Sequence, residues 1–260
     1  MTTKPDQADQ ADQADQADQA DQADQADQAD QADQADQPDQ PDQADQAAPS
    51  TPSPETGAAA DFATRDPAAP AFWDERFERG FTPWDQAGVQ PDFEAFATAH
   101  AAASVLIPGC GNAWEARWLA EHGRTVRAID FSPAAVAHAR TALGHYADVV
   151  EEADFYAYRP PFAPDWIFER AFLCALPKAQ RPAYARRMAE LLAPGALLAG
   201  FFFFADTPKG PPFGIERAEL DVLLTPYFTL LDEHEVSASL PVFAGRERWL
   251  TWRRNASAPA

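Results

Sequence analysis

The sequence has few cysteines and no apolar stretch at its start. Cys110 and Cys174 are the two cysteines in 260 residues, too few for the disulfide framework of a small secreted domain. Their simplest interpretation is a pair of reduced thiols. The opening residues, Met-Thr-Thr-Lys-Pro, do not resemble a secretory signal peptide. We therefore expect a cytoplasmic protein.

Long hydrophobic runs and positive charge are also scarce. The longest apolar run, ALLAGFFFFA from Ala196, is about half of the roughly 20 residues that a membrane helix needs, and it is typical of a buried strand. Lys and Arg number 20 against 41 Asp and Glu, which gives a net charge of −21. This balance argues against nucleic acid or an anionic membrane as a partner.

Large side chains are missing from the N-terminal region, where Asp-Gln-Ala repeats from Asp6 to Ala47. Its 14 aspartates and Lys4 sum to −13, so −21 + 13 leaves −8 for the rest of the chain. A period of three matches neither helix nor strand, and nothing in the repeat is more apolar than alanine. We predict a disordered tail and linker over residues 1–66, a folded domain over 67–255 and a disordered end over 256–260. The tail is either a solubilising segment or an acidic interaction arm.

Strand and helix patterns alternate through the predicted domain. The strands are expected at residues 105–107, 126–129, near 149, and at 166–168, 196–204, 228–236 and 246–253. The helices are expected at residues 72–79, 91–100, 113–122, 133–143, 178–192 and 216–224. This alternation predicts an α/β fold with a doubly wound, mostly parallel sheet. The last two strands have no helix between them and predict an antiparallel hairpin at the sheet edge.

The turn PGCGN after the first strand predicts an adenosine site. Gly109 and Gly111 allow the backbone to approach a ligand, and Asp130, which ends the second strand, is placed to accept both ribose hydroxyls. NAD, FAD and S-adenosylmethionine share these features. Dinucleotide sites place a third glycine where this chain has Trp114. S-adenosylmethionine has no pyrophosphate, and we favour it as the cofactor over a dinucleotide or an adenosine-free turn.

Three further residues are candidates for the adenine pocket. Asp154 follows the third strand and is placed to accept the adenine amino group, with Phe155 beside the ring. Phe131 follows Asp130 and is a candidate for the opposite face of the ring.

Several segments together resemble the thiopurine S-methyltransferase family, with its related halide and thiol methyltransferases. They are FWDERFERGFTPWD, VLIPGCGNAWEARWLAEHG, AIDFS, EADFY, FERAFLCALP and KGPPFGIERAEL, between residues 72 and 220. The resemblance extends over about residues 72–254. It implies a Rossmann-like class I methyltransferase with an N-terminal helical cover.

The resemblance also implies which residues contact the donor. The aromatic contacts fall on Trp73, Phe77 and Trp84, and the post-strand-four contact falls on Arg170. The remaining donor contacts fall on Gly109, Asp130, Asp154 and Phe155. The two residues that follow the fourth predicted strand are Asp-Arg in the thiopurine branch and Asp-Tyr in the halide branch. In this chain they are Glu169 and Arg170. TPWD and FLCAL look more like the halide branch, so the acceptor stays open.

Methyl transfer to a soft nucleophile needs an aligned, desolvated site more than a strong base. The catalytic candidates are Asp85 and Arg170, and the substrate candidates are Trp84, Tyr156, Lys209 and Phe213. Phe213 is expected to point into the pocket from the loop that contains Lys209. No metal site is expected, because the histidines lack ligand spacing.

These observations predict a monomeric, S-adenosylmethionine-dependent methyltransferase that acts on a small thiol or thiopurine. The alternative within methyl transfer is a halide or metalloid (tellurium or selenium) methyltransferase. Alternatives of other classes are an NAD(P)-dependent oxidoreductase and a non-catalytic protein whose acidic tail is the working part.

Overall fold

The structure is a computed structural model that describes residues 62–207 and 209–256. The Asp-Gln-Ala repeat and the C-terminal residues 257–260 lie outside the described residues, and so do the predictions made for them. Residues 62–66, which the sequence assigns to the linker, are described and pack against the folded domain, where Phe62 is buried.

The described chain forms a seven-stranded sheet in the order β3-β2-β1-β4-β5-β7-β6. Its strands are β1 (Val105–Pro108), β2 (Val126–Asp130), β3 (Val150–Glu152), β4 (Trp166–Arg170), β5 (Leu197–Phe203), β6 (Phe228–Glu235) and β7 (Glu247–Arg254). Strands β1 to β5 pair in parallel, whereas β7 pairs antiparallel with both β5 and β6. The predicted sheet and its terminal hairpin are confirmed.

Six α-helices accompany the sheet in the described part of the chain. They are α1 (Pro70–Glu78), α2 (Pro91–Ala99), α3 (Trp114–Glu121), α4 (Pro133–Leu143), α5 (Arg181–Leu191) and α6 (Arg217–Leu224). Ser132 caps α4 by accepting a hydrogen bond from the Ala135 amide, as predicted. The predicted helix over 178–192 instead divides into a 3₁₀ turn and α5, because Pro182 occupies the first turn of an α-helix most readily. None of the described helices has the length and apolar character needed to cross a bilayer.

Alternation along the strands buries both faces of the sheet. Leu106, Ile129 and Ile167 belong to the core on one face. Their chain neighbours Ile107 and Ala128 belong to the core on the other face. Because successive strand residues point to opposite faces, a strand covered on both sides is apolar throughout. This accounts for the nearly uninterrupted apolar run of β5.

Gly200 lies in the middle of β5, where the backbone of β4 approaches closely. Its φ is +154°, and a Cβ atom at this position would lie 1.9 Å from the carbonyl oxygen of Glu169. No side chain fits at that distance. The glycine therefore allows β5 to pair with β4 in the register that sets the end of β4.

We expect Gly200→Ala to lower the free energy of unfolding by about 3 kcal/mol or more, because the added methyl group must displace main chain in the central sheet. Gly123→Ala is the matched control, since its φ is +68° but nothing lies within 4 Å of the added Cβ. That change should cost only about 1 kcal/mol. Urea denaturation measures both, and equal losses would contradict the close-approach explanation.

Candidate active site

A cavity of about 1000 Å³ opens at the carboxyl ends of the parallel strands. Gly109 and Gly111 follow β1, Asp130 ends β2, Asp154 follows β3 and Arg170 ends β4. All five line the cavity. Ligands of doubly wound sheets bind at this edge, beside the point where the strand order reverses.

The structure brings most of the predicted site residues to this cavity. Those that line it are Trp73, Phe77, Trp84, Asp85, Gly109, Gly111, Asp130, Phe131, Asp154, Phe155, Tyr156 and Arg170. Lys209 and Phe213 are not among the lining residues.

Two backbone amides hold the carboxylate of Asp130. Oδ2 accepts from the Gly111 amide at 3.0 Å, and Oδ1 accepts from the Ser132 amide at 3.0 Å. Asp130 is only 8% exposed, and burial raises its pKa to about 6. The two bonds fix the carboxylate in the cavity wall and tie the glycine turn to the end of β2.

Gly109 also has a steric role. Its φ is +59°, and a Cβ atom there would lie 2.4 Å from Cδ2 of Phe172. The ring of Phe172, from the loop after β4, therefore packs directly against the glycine turn. The ring of Phe172 also lies 5.1 Å from that of Phe155, so it links the turn to the wall beyond β3.

Arg170 forms an ion pair within the cavity wall. Its guanidinium Nη1 lies 2.7 Å from Oε1 of Glu115, and both side chains are nearly buried. Glu115 lies in the first turn of α3. The pair holds the end of β4 against the start of that helix, so the charge of Arg170 is largely balanced before any ligand binds.

Helix α1 and the loop after it form one wall of the cavity, and we call residues 70–85 the lid. The Trp84 ring lies 5.5 Å from Trp73 and 6.2 Å from Phe77, nearly perpendicular to both. These edge-to-face contacts hold three rings along one side of the cavity.

One carboxylate fastens the helical end of the lid to the sheet domain. Oδ1 of Asp74 accepts from the Ser132 hydroxyl at 2.6 Å and from the Ala134 amide at 3.1 Å. A negative side chain at the N-terminus of α4 is also favoured by the helix dipole. The sequence suggests that Ser132 caps a helix, but it contains no signal for the partner 58 residues away.

A second carboxylate fastens the other end of the lid. Oδ2 of Asp85 accepts from Nδ2 of Asn112 at 2.7 Å and from Nε1 of Trp114 at 3.3 Å. Trp114 occupies the position of the third glycine in a dinucleotide turn, and its indole N–H forms a hydrogen bond with the lid. Asp85, a catalytic candidate from the sequence, is thus placed to hold the lid.

Three further polar side chains of the cavity, Tyr156, Cys110 and Cys174, are held in their protonated forms. The Tyr156 hydroxyl donates to Oε1 of Gln180 at 3.2 Å, and burial raises the pKa of Tyr156 to about 12. Burial also raises the pKa of both thiols, Cys110 and Cys174, well above the usual range. Within residues 62–207 and 209–256, no group of three acidic, histidine or cysteine side chains is arranged to hold a metal ion.

The prediction that Phe213 points into the cavity is wrong. Its amide donates to the Cys174 carbonyl at 2.6 Å, which turns the loop so that the Phe213 ring packs over Gly210. Gly210, Pro211 and Pro212 line the cavity instead. Lys209 is exposed outside the lining, because that same loop directs Gly210 and the prolines inward.

Several lining residues were not identified from the sequence. Glu115 lies beside the recognised glycine turn, but its pairing with Arg170 depends on the fold. Val242 and Phe243 come from the segment between β6 and β7, where no pattern marked them. An apolar pair between the last two strands was the only available signal.

The family model for thiopurine S-methyltransferase matches residues 68–255, which include every cavity-lining residue but Arg65 and Pro67. The chain belongs to the thiopurine S-methyltransferase family. It is therefore an S-adenosylmethionine-dependent methyltransferase, and an oxidoreductase is not supported.

Similar proteins come from both branches of the family. Thiocyanate methyltransferase 1 of Arabidopsis thaliana is 30% identical over 195 residues, covering 70% of this chain and 84% of that protein. Thiopurine S-methyltransferase of Pseudomonas fluorescens strain SBW25 is 31% identical over 188 residues, covering 62% of this chain and 84% of that protein.

Solved structures support the fold. The 1,6-didemethyltoxoflavin-N1-methyltransferase of Burkholderia thailandensis, with bound S-adenosylhomocysteine, has a TM-score of 0.59 at 19% identity and covers 72% of this chain and 87% of that chain. Magnesium protoporphyrin IX methyltransferase of Synechocystis PCC 6803 has a TM-score of 0.57 at 16% identity, covering 75% and 100% of the two chains. At these identities the likeness shows the class I methyltransferase fold alone.

Glu169, beside Arg170, is a buried carboxyl group that shapes the cavity floor. Oε1 accepts from the amides of Phe172 and Leu173 at 3.0 and 2.9 Å, and Oε2 accepts from the Tyr184 hydroxyl at 2.6 Å. Burial raises the pKa of Glu169 from 4.5 to about 7. The group therefore holds the loop after β4 and retains a proton at pH values where an exposed glutamate has lost it.

This shift makes the folded protein less stable as the pH rises. Below pH 4.5 both states keep the Glu169 proton; above it the unfolded chain loses the proton first. From pH 5 to 8 this group should reduce the free energy of unfolding by about 2 to 3 kcal/mol. Glu169→Gln should remove that slope, measured by urea denaturation across the range. Glu235→Gln, whose side chain is 88% exposed, should keep it. Parallel slopes for wild type and Glu169→Gln would contradict the assignment.

Proposed function

We propose that this enzyme transfers a methyl group to the sulfur of a small organic thiol with a flat, apolar body. The observation that carries the proposal is a cavity of about 1000 Å³ with carboxylates at the strand ends and aromatic side chains along the lid. A pocket for one drug-sized ligand has roughly 300–1000 Å³. The methyl donor is itself a drug-sized ligand, so a cavity at the upper end of this range also has space for an acceptor. The remaining space fits an organic acceptor better than a bare halide.

The residues present fit S-adenosylmethionine. Asp130 is the acceptor for the two ribose hydroxyls, since its carboxylate is fixed and lines the cavity. Asp154, whose Oδ1 accepts from the Tyr156 amide, is the acceptor for the adenine amino group, with Phe131 and Phe155 beside the ring. The glycine turn and Arg170 lie toward the amino-acid end of the donor.

The aromatic side chains of the lid suit a cationic ligand. Trp73, Phe77 and Trp84 present π-systems to the cavity, and a cation near such rings is attracted by their quadrupoles. When bound, S-adenosylmethionine supplies an electrophilic methyl group on a positively charged sulfur. The lid excludes water from that methyl group and limits the directions of approach, which are the two requirements for in-line displacement.

No general base is assigned among the described residues. Tyr156, with a pKa of about 12, stays protonated at neutral pH, and its hydroxyl donates to Gln180, so it does not serve as the base. Asp85 is occupied by Asn112 and Trp114, and Arg170 by Glu115. The acceptor therefore enters as a thiolate or loses its proton to water, and the cavity walls desolvate it.

The acceptor end of the cavity is mostly apolar. Ala175, Leu176, Pro211, Val242 and Phe243 line it, contributed by the loops after β4 and β5 and the segment before β7. A flat hydrophobic body fits among these residues. This composition favours the apolar body of an aromatic thiol or a thiopurine over a small inorganic anion.

A second candidate acceptor is thiocyanate. The relatives named thiocyanate methyltransferase 1 from Arabidopsis thaliana and Brassica oleracea are both 30% identical to this chain. Thiocyanate is a soft anion that needs no base. The volume of the cavity favours the larger thiol over thiocyanate and over halide or metalloid acceptors.

We also propose a cytoplasmic, monomeric enzyme that binds no nucleic acid. Both cysteines are unpaired thiols in the structure, which supports a reducing compartment. The net charge of −21 opposes binding to polyanions.

Donor affinity should rise between pH 5 and pH 7, because only ionised Asp130 accepts from both ribose hydroxyls. With a pKa of about 6, its ionised fraction grows from about 9% to about 91%, so the dissociation constant should fall about tenfold. Calorimetry with S-adenosylhomocysteine measures the constant without turnover. Asp130→Asn should bind weakly at every pH, whereas Asp148→Asn, at an exposed position, should behave as wild type. A wild-type constant that does not change with pH would count against this role.

The acceptor class is tested by comparing thiophenol, a thiopurine, sulfide, thiocyanate and iodide as acceptors. We expect kcat/KM for the aromatic thiol to exceed that for iodide by about 100-fold, because only the thiol fills the apolar end. Ala175→Leu should reduce the rate with thiophenol and leave the rate with sulfide unchanged. Faster turnover of thiocyanate or iodide than of every thiol would reject the proposal in favour of an anion methyltransferase.

A further inference from the structure

Residues 62–67 precede α1 and also precede the region that the family model matches, residues 68–255. We call this segment the strap. Although it lies outside the matched region, its residues Arg65 and Pro67 line the cavity. The strap is therefore part of the site by position, and its contacts with the lid explain how it is held there.

A single carboxylate on α1 binds the start of the strap. Oε1 of Glu75 accepts from the Ala63 amide at 2.9 Å, and Oε2 accepts from the Thr64 amide at 3.0 Å and the Thr64 hydroxyl at 2.5 Å. These bonds lower the pKa of Glu75 to about 2. The carboxylate of Glu75 is therefore ionised at neutral pH and accepts these bonds as a charged group.

An aromatic contact adds to this attachment. Phe62 is 7% exposed, and its ring lies 5.2 Å from that of Phe81. The guanidinium groups of Arg76 and Arg79 lie 4.2 and 4.6 Å from the centre of the same ring. The start of the strap is therefore packed against the last turn of α1 and the loop that follows it.

The far end of the strap sets the position of a lid tryptophan. Nε1 of Trp73 donates to the Pro67 carbonyl at 2.9 Å, and the Trp73 ring contacts Trp84 at 5.5 Å. A tryptophan has one hydrogen-bond donor. Because this donor is bound to the strap, the indole is held with its ring along the cavity.

We propose that the strap, residues 62–67, is a positioning element of the methyl-donor site: bound to Glu75 and Phe81, it fixes the indole of Trp73 over the donor. The inference rests on the proposed function, in which the lid aromatic rings face the donor. The strap contributes to donor affinity through Trp73 and leaves the acceptor end of the cavity unaltered.

The test uses full-length variants and calorimetry with S-adenosylhomocysteine. Thr64→Val removes the hydroxyl that donates to Glu75, and Thr64→Ser keeps it. Thr64→Val should raise the dissociation constant about fivefold, since one charge-assisted hydrogen bond is lost. Glu75→Gln should raise it about tenfold, since the acceptor of all three bonds loses its charge. Thr64→Ser should stay close to wild type. Glu78→Gln, an exposed position on the same helix, is the matched control and should not change the constant.

Two further measurements separate positioning from a general loss of structure. The KM for the acceptor should stay unchanged in Thr64→Val while the KM for the donor rises. The fluorescence of Trp73, compared with a Trp73→Phe background, should show greater solvent exposure in Thr64→Val than in Thr64→Ser. Equal increases in both KM values, or unaltered fluorescence, would overturn the positioning role.

Asp130→Ala distinguishes failure of this inference from failure of the proposed function. If that variant loses donor binding while Thr64→Val and Glu75→Gln bind within about twofold of wild type, the strap has no role and the proposed function stands. If Asp130→Ala binds the donor as wild type does, the proposed donor site is wrong and the strap inference falls with it.

Discussion

The architecture of the site depends on one buried carboxylate held by two backbone amides. Asp130 ends β2, and its oxygens accept from Gly111 and Ser132. These bonds join the glycine turn after β1, the end of β2 and the start of α4 around a single charged group. Burial alone would favour the neutral acid, and the amides partly oppose that effect. The carboxylate is thereby fixed in the cavity wall but sensitive to pH near neutrality.

The lid is attached to this centre by carboxylates of its own. Asp74 binds the N-terminus of α4, and Asp85 binds the glycine turn through Asn112 and Trp114. Hydrogen bonds to charged groups are stronger than neutral ones, so these short polar contacts help to position the three aromatic rings. The same residues that distinguish the turn from a dinucleotide site also hold the aromatic wall.

The sequence predicted the sheet well, because alternation along the strands, the Ser132-Pro133 cap and the glycine turn are local patterns with direct physical causes. It also predicted which residues end the parallel strands, and these are the residues that meet at one edge. It could not predict partners distant in the chain, such as Glu115 for Arg170 or Asp74 for Ser132, since those pairs depend on how helices pack. Phe213 was misplaced because the orientation of a proline-rich loop depends on a main-chain bond to Cys174. The start of the folded domain was placed at residue 67 from composition alone. Phe62 and Thr64 precede that boundary, yet both contact the lid.

The two cysteines have a further consequence for an enzyme of this chemistry. A sulfonium methyl group reacts with thiolates, and both Cys110 and Cys174 line the cavity proposed to hold the donor. Burial and the nearby Asp130 charge keep the Cys110 thiol protonated, and desolvation does the same for Cys174. A protonated thiol is a poor nucleophile. Burial in the cavity wall thus disfavours the reactive thiolate form of both cysteines, whereas the proposed acceptor arrives already ionised.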